Sequence, residues 1–276
     1  EWTCFMESHR MKNIVILILI LLNLFLLLLV ASKQYARHRA EQNLIGQTVA
    51  LLQSNGIEID ESLLQGTAEP APYAYSRSPE DELLFASALL GEITTQHSIN
   101  SGNTHLYANG SGSATFRPNG SFTLDIAQPT LYAEDYQAFL RDDCPANYRI
   151  TQITSDGARD TVIATPYMDD LPVYSAAIAF TFEDHLLTAA SGYFISSAAA
   201  PIAIDNTITK CSATVFLMDF CNEEGRICNT ITEISTGYIL QTTASIPLLL
   251  TPVYKIDTNT YSYYIDAASG HVSVAR

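Results

Sequence analysis

One stretch near the N-terminus constrains this chain more than any other feature. Residues Ile14 to Ala31 read IVILILILLNLFLLLLVA, a run without charge in which Asn23 is the one polar side chain. At ~1.5 Å per residue a helix of this length reaches about 27 Å, close to the hydrocarbon thickness of a bilayer. A core helix of a water-soluble domain would show a polar face, which this run lacks. The sequence therefore predicts a helix inserted in a membrane.

The alternative to a membrane anchor is a cleaved signal peptide. A signal peptide has a shorter apolar region that ends at a site of small residues. This run is longer and Val30-Ala31-Ser32 is a poor cleavage site, so an uncleaved anchor is favoured. Met11-Lys12-Asn13 has the character of a translation start. We therefore expect residues 1–10 to be upstream translation or a gene-calling artefact, and residues 11–31 to be the transmembrane helix.

The orientation of the anchor rests on two opposing arguments. Lys12 precedes the span, whereas Lys33, Arg37 and Arg39 follow it. The positive-inside rule by itself would keep the C-terminal side in the cytoplasm. Against it stand an acidic body, four cysteines after the span and no nucleotide-binding motif. We expect a single-pass cell-membrane protein with a cytoplasmic N-terminus and an extracytoplasmic body.

Charge and motifs exclude several classes of function. The net charge of −15 disfavours broad electrostatic binding to nucleic acid, which needs clustered Lys and Arg. The chain lacks G-x-S-x-G, H-E-x-x-H and P-loop motifs, and no two histidines stand at ligand spacing. Paired acids such as Asp142-Asp143 are typical of a solvated surface. We therefore expect no enzyme, and no catalytic, cofactor or metal site.

The segment after the span changes from helical to strand periodicity. Residues 32–55 are compatible with a stalk helix ended by Gly56, and Pro79 opens a second helix that runs to about Leu90. The apolar stripe of the stalk consists of Leu44, Ile45, Thr48, Val49 and Leu52. Asn109-Gly110 and Asn119-Gly120, between alternating residues, predict two hairpins, although both also spell glycosylation acceptors.

The second half of the chain contains an internal repeat. Four short motifs recur in the same order, 77 to 81 residues apart: Phe139–Cys144 as Phe216–Cys221, Thr151–Ile153 as Thr232–Ile234, Pro172–Tyr174 as Pro252–Tyr254, and Ala189–Gly192 as Ala267–Gly270. A period this long indicates a duplicated module rather than a solenoid. The residues 44–128 have the same order of helix and hairpins, which raises the hypothesis of a divergent third copy.

The predicted fold class is α+β, with an N-terminal transmembrane helix followed by tandem modules of a helix packed on an antiparallel β-sheet. We divide the body into a stalk helix with an N-terminal α+β domain (32–128), a first repeat module (129–200) and a second repeat module (201–276).

Three groups of residues are candidates for contacts. Asn23 is either tolerated in the lipid or bonds to another transmembrane helix, together with its neighbours Leu24, Phe25 and Leu26. Cys221 and Cys228 flank a short polar turn, where a disulfide competes with simple packing at a helix end and a zinc site is disfavoured. The C-terminal tyrosines either pack the sheet or form an interface. They are Tyr254, Tyr261, Tyr263 and Tyr264.

Several short motifs at the two ends of the chain carry a family resemblance. They are Met11-Lys12-Asn13, Asn23 to Leu26, Leu51-Leu52, Asn55 to Ile57, Ile231 to Tyr238, Leu250 to Ile256, Tyr263 to Asp266 and Ser269-Gly270. Together they resemble YycI-type regulatory proteins of Gram-positive bacteria. The C-terminal group is also similar to the end of PepSY-like modules.

The resemblance implies a body outside the cell and no catalytic residues. It implies association with a sister protein, YycH, and with a membrane sensor histidine kinase of a two-component system that controls cell-wall homeostasis. The contacts would be transmembrane and extracytoplasmic. The alternative is a PepSY-like membrane-anchored inhibitor or binder of a secreted protease or peptide.

Overall fold

The computed structural model describes residues 2–64, 71–99, 103–196, 200–201, 214, 216–217, 220, 228–241 and 248–275. The helices are α1 (Trp2–Ser54), the short 3-10 helix η1 (Glu61–Leu64), α2 (Pro79–Leu90) and α3 (Tyr136–Asp143). The strands are β1 (Tyr73–Tyr75), β2 (Thr95–Ile99), β3 (Thr104–Ala108), β4 (Gly112–Phe116), β5 (Ser121–Ile126), β6 (Tyr148–Asp156), β7 (Arg159–Met168), β8 (Leu171–Pro172), β9 (Ile178–Glu183), β10 (Leu186–Tyr193), β11 (Ala200–Pro201), β12 (Ile231–Gln241), β13 (Leu248–Thr258), β14 (Ser262–Asp266) and β15 (Val272–Val274).

The predicted membrane span and the predicted stalk form one continuous helix, α1. Within the described part of the chain it is the one helix long and apolar enough to cross a membrane. It ends at Ser54, and Gly56 takes the predicted left-handed conformation with φ +76°. The amide of Ile57 donates to Leu52 O at 3.0 Å, which closes the last turn.

The described body repeats one arrangement three times, a helix followed by a four-stranded antiparallel meander. The first copy is α2 with β2 to β5, and the second is α3 with β6, β7, β9 and β10. The third copy has helical residues at 214, 216–217 and 220, followed by β12 to β15. The fold is thus α+β as predicted, and residues 79–126 have the architecture of the hypothesised third copy.

The first two copies share a single sheet. β5 pairs antiparallel with β10, from Ser121 opposite Tyr193 to Asp125 opposite Ala189. The resulting nine-stranded sheet runs β2-β3-β4-β5-β10-β9-β7-β6, with β8 beside β7. The predicted domain boundary after residue 128 therefore falls between two segments whose strands share one sheet.

One motif match marks equivalent positions in detail. The register of β6 on β7 shifts by one residue at Thr151, and that of β12 on β13 shifts at Thr232. Each bulged threonine donates its hydroxyl to a carbonyl of the partner strand, Thr151 to Ile163 O at 3.3 Å and Thr232 to Asp257 O at 3.1 Å. The same local device in both copies supports their duplication.

Two other motif matches were wrong as markers of equivalent positions. Pro172–Tyr174 begins at β8, whereas Pro252–Tyr254 lies inside β13. Ala189–Gly192 lies inside β10, whereas Ala267–Gly270 forms the turn between β14 and β15. Small residues suit both places, because a Cβ at Gly192 would collide with Ala177 O and Gly270 needs its φ of +72°.

The second sheet contains β11, β1, β12, β13, β14 and β15, and β13 is its central strand. β12 pairs along one edge of β13, and β1 and β14 pair with successive parts of its other edge. The segment after β7 lies along β12 and joins the two sheets. Tyr174 N donates to Tyr238 O at 2.9 Å, and Leu240 N donates to Ser175 Oγ at 2.7 Å. Gly237 permits this approach, because a Cβ there would lie 2.5 Å from Pro172 O.

Aromatic side chains dominate the core between the nine-stranded sheet and its two helices. Phe85 of α2 stacks on Phe194 with ring centroids 4.7 Å apart, and Phe139 of α3 meets Phe180 and Phe182 edge to face. These contacts fix both helices on one face of the sheet, side by side.

Candidate partner-binding site

The side chains predicted to make transmembrane contacts are all exposed on α1. Leu24, Phe25 and Leu26 are each about half exposed in the isolated chain, as are their apolar neighbours. Asn23 Nδ2 donates to Leu19 O of its own helix at 2.9 Å. The amide therefore keeps its Oδ1 as an acceptor that a second helix can use. Contact with a partner helix stays a prediction.

The last three turns of α1 belong to the core of the body. Ile45, Thr48 and Leu52 are at most 2% exposed, as the predicted stripe requires. Ile45 and Leu52 belong to an apolar cluster that includes Phe220 and Tyr254 of the third copy. The last turns of α1, the candidate membrane helix, thus belong to the same apolar cluster as the C-terminal copy.

Main-chain hydrogen bonds extend this attachment beyond the helix. Glu58 N donates to Asn229 O at 2.8 Å, and Ile231 N donates to Glu58 O at 2.9 Å. The chain that leaves α1 therefore runs parallel to the start of β12. Side-chain packing and main-chain hydrogen bonds therefore both join the end of α1 to the third copy.

A cleft of about 250 Å³ lies between α2 and the end of α3. Its lining residues are Asp81, Leu84, Phe85, Ala88, Asp142, Asp143, Cys144, Pro145 and Ser196. Leu84 is 67% exposed at its rim, whereas Phe85 is buried in its floor. The cleft therefore combines an apolar floor with an acidic rim.

Local sequence explains where α2 presents these side chains. The hydroxyl of Ser78 accepts from Asp81 N at 3.2 Å and caps the helix, and Pro79 occupies the first turn. At the other end, Asn109 Nδ2 donates to Leu90 O at 2.7 Å. With both ends held, Asp81 and Leu84 lie one turn apart on the same face.

The carboxylates of the cleft outnumber its cations. Asp142 pairs with the exposed Arg141 at 2.9 Å, but neither Asp81 nor Asp143 has a basic partner within the described residues. Asp143 ends α3, where the helix dipole is negative. Burial raises the pKa of Asp143, and the nearby Asp142 raises it further. The cleft is therefore suited to a cationic group flanked by an apolar one.

Cys144 caps α3 and lines this cleft. Its amide donates to Leu140 O at 3.2 Å, which closes the last turn of the helix. Burial raises the pKa of the thiol well above its ordinary value, and Asp143 raises it further. Since the thiolate is the nucleophile, this cysteine is held in its unreactive form.

The predicted disulfide involves one residue outside the described chain. Cys221 lies outside the described residues, and Cys228 is half-buried beside the core of the third copy. The disulfide between them stays a prediction.

The C-terminal tyrosines divide by burial. Tyr254 and Tyr263 are 2% and 5% exposed and pack the core of the third copy. Tyr261 is exposed, and the half-buried Tyr264 lies against Tyr174 with ring centroids 5.4 Å apart. Sheet packing thus accounts for the first pair, and the interface stays a prediction for Tyr261 and Tyr264.

Sequence reasoning treated Asp142-Asp143 as solvated surface and did not find the cleft. Asp143 is in fact half-buried and faces α2 across the cleft. One sequence signal was present, since two acids at the C-terminal end of a helix oppose its dipole. The α2 side of the cleft is formed by tertiary packing, and no sequence signal near α2 indicated it.

Comparisons with known proteins give weak similarity. The chain matches no known protein-family profile, and no curated protein matches it. The C-terminal domain of YpeB from Bacillus megaterium superposes with a TM-score of 0.40 at 10% identity, covering 73% of this chain and 99% of that domain. An uncharacterized protein from Eubacterium rectale gives 0.37 at 11% identity, covering 76% of this chain and 86% of that one.

At these TM-scores neither similarity carries a conclusion about this chain. Neither neighbour is named as a YycI-type protein. The function is therefore argued from the chain's own residues.

Proposed function

We propose that this chain is a membrane-anchored, non-catalytic regulator whose extracytoplasmic body controls a partner protein in the same membrane. The partner class implied by the resemblance to YycI-type proteins is a sensor histidine kinase, acting with a YycH-like protein. The observation that carries the proposal is the burial of Ile45, Thr48 and Leu52, which makes the membrane helix part of the body's core.

A rigid connection of this kind suits regulation across a membrane. A partner bound to the body would bias the tilt or rotation of α1, and α1 would bias the neighbouring transmembrane helices. Such a device shifts signalling states only by its differential affinity for them. Asn23 supplies a hydrogen-bonding group in the span through which the helices can recognise each other.

The test is affinity capture of the tagged full-length chain from cross-linked native membranes, with mass-spectrometric identification. We expect recovery of a sensor kinase. A transmembrane hydrogen bond is worth about 1 kcal/mol, so Asn23→Leu should lower that recovery about fivefold. Leu24→Ile, which keeps the apolar surface, is the matched control. Capture of no kinase would refute the proposal, and equal recovery with Asn23→Leu would remove Asn23 from it.

The cleft between α2 and α3 favours a second function, a membrane-anchored binder or inhibitor of a secreted protease or peptide. Asp81 and Asp143, which have no basic partner among the described residues, and the apolar floor suit a basic residue next to an apolar one. The same capture experiment separates the two functions. Recovery of a protease or peptide without a kinase would support this one.

A further inference from the structure

A second cavity, of about 210 Å³, lies where the first meander approaches the second sheet. Arg77, Asn103 and His105 form its polar side, and Tyr75, Pro118 and Leu248 form its apolar side. It is separate from the acidic cleft between α2 and α3, and the two share no lining residue.

The guanidinium of Arg77 is held deep in this wall, with its side chain only 11% exposed. Its Nε donates to Glu82 Oε1 at 2.7 Å, and its Nη1 donates to Asn103 O at 2.7 Å. Its Nη2 lies 3.4 Å from His105 Nδ1. These contacts fix the plane of the guanidinium against the cavity.

His105 cannot serve as the acceptor for Nη2. Its Nδ1 lies 2.6 Å from Glu82 Oε2, and an ionised carboxylate only accepts, so Nδ1 carries the hydrogen of that bond. Nη2 is therefore left without an acceptor among the residues the structure describes. Glu82 is 1% exposed and both of its oxygens are engaged, so its charge is already balanced.

Arg77 lines the cavity, and a bound anion would give Nη2 a charged acceptor, which makes a stronger hydrogen bond than a neutral one. Pro79, the first residue of α2, also lines the cavity, so the positive end of that helix dipole lies nearby. The planar guanidinium matches a carboxylate in shape and charge.

We propose that this cavity binds an organic carboxylate that carries an apolar group, with Arg77 as its recognition residue. The carboxylate accepts from Nη2, and the apolar group lies against Tyr75, Pro118 and Leu248. This donor-lined site is a local exception in a chain of net charge −15. The ligand is either a free small acid or the C-terminal residue of a peptide.

The test uses the full-length chain in nanodiscs and ligand-observed NMR titrations. The probes are N-acetyl-leucine, N-acetyl-leucinamide, and a tetrapeptide ending in leucine with a free or an amidated terminus. A charge-assisted hydrogen bond should make each acid bind about tenfold tighter than its amide. Tighter binding of the peptide acid than of N-acetyl-leucine assigns the site to peptide termini, and equal or weaker binding assigns it to free acids.

Variants at Ser76 locate the binding without breaking the buried ion pair. Ser76 is exposed and lines the cavity. Ser76→Glu adds a competing carboxylate and should weaken acid binding about fivefold, whereas the neutral control Ser76→Gln should change it less than about twofold. Equal binding of acids and amides, no binding at about millimolar concentration, or equal effects of the two variants would overturn the proposal.

Discussion

Replacing Gly237 by alanine tests whether the two sheets are joined as tightly as the structure shows. A Cβ at this position would lie 2.5 Å from both Pro172 O and Tyr174 Cε2, where contacts under 3.0 Å are essentially never found. β12 and the segment 172–175 would have to separate by about 1 Å to restore ordinary contact.

The size of the effect follows from the bonds that cross this junction. Tyr174 N to Tyr238 O is 2.9 Å and Leu240 N to Ser175 Oγ is 2.7 Å, so a separation of about 1 Å would break both. Each bond contributes about 1 kcal/mol, and overpacking costs about 1–3 kcal/mol unless it relaxes. If the strands separate, the overpacking is relieved but the two hydrogen bonds are lost, so the two costs do not add in full. We therefore expect Gly237→Ala to lower the free energy of unfolding by about 2–3 kcal/mol.

The assay is urea denaturation of the full-length chain in detergent micelles, followed by circular dichroism. Gly46→Ala is the matched control, because Gly46 lies in α1 with nothing within 4 Å of an added Cβ. That change should raise stability by up to about 1 kcal/mol through helix propensity. If Gly237→Ala were as stable as the parent chain, the tight junction between the sheets would be refuted.

Two further predictions concern the stalk and the cleft. Leu52→Ala removes a fully buried side chain where α1 meets the third copy and should lower the free energy of unfolding by about 2–5 kcal/mol. Leu51→Ala, at a 37% exposed position, is the control in the same denaturation assay. Equal losses of stability in the two variants would contradict the packing of α1 on the body. Burial and Asp142 raise the pKa of Asp143, so its charge costs stability as the pH rises through that raised pKa. Asp143→Asn should therefore raise the free energy of unfolding by about 0.3–1 kcal/mol at pH 7 and leave it unchanged at a pH below 3.8, the ordinary pKa. Urea midpoints measured at both pH values test this. A stability difference that does not change with pH would contradict the electrostatic origin.

Local chemistry determined the features that the sequence predicted correctly. The uncharged run Ile14 to Ala31 forms a helix of membrane-spanning length, and Gly56 ends its continuation. Pro79 opens α2 as predicted, because the residues that favour a helix start lie within its first turn. The helix ends at Leu90, also as predicted. Asn109-Gly110 and Asn119-Gly120 both connect paired strands, since the turn residues and the alternating pattern lie side by side in the chain.

Tertiary structure decided which copies share a sheet and where the cavities lie. The pairing of β5 with β10 joins residues more than sixty positions apart. The main-chain groups at a strand edge are the same in every sequence, so the sequence of a strand does not specify a distant partner. The acidic cleft needs α2 beside α3, and the Arg77 cavity needs Leu248 of β13. Periodicity tells which face of an element is buried, but only the packed fold tells against what, because side-chain contact between distant segments depends on the register and order of all the strands between them.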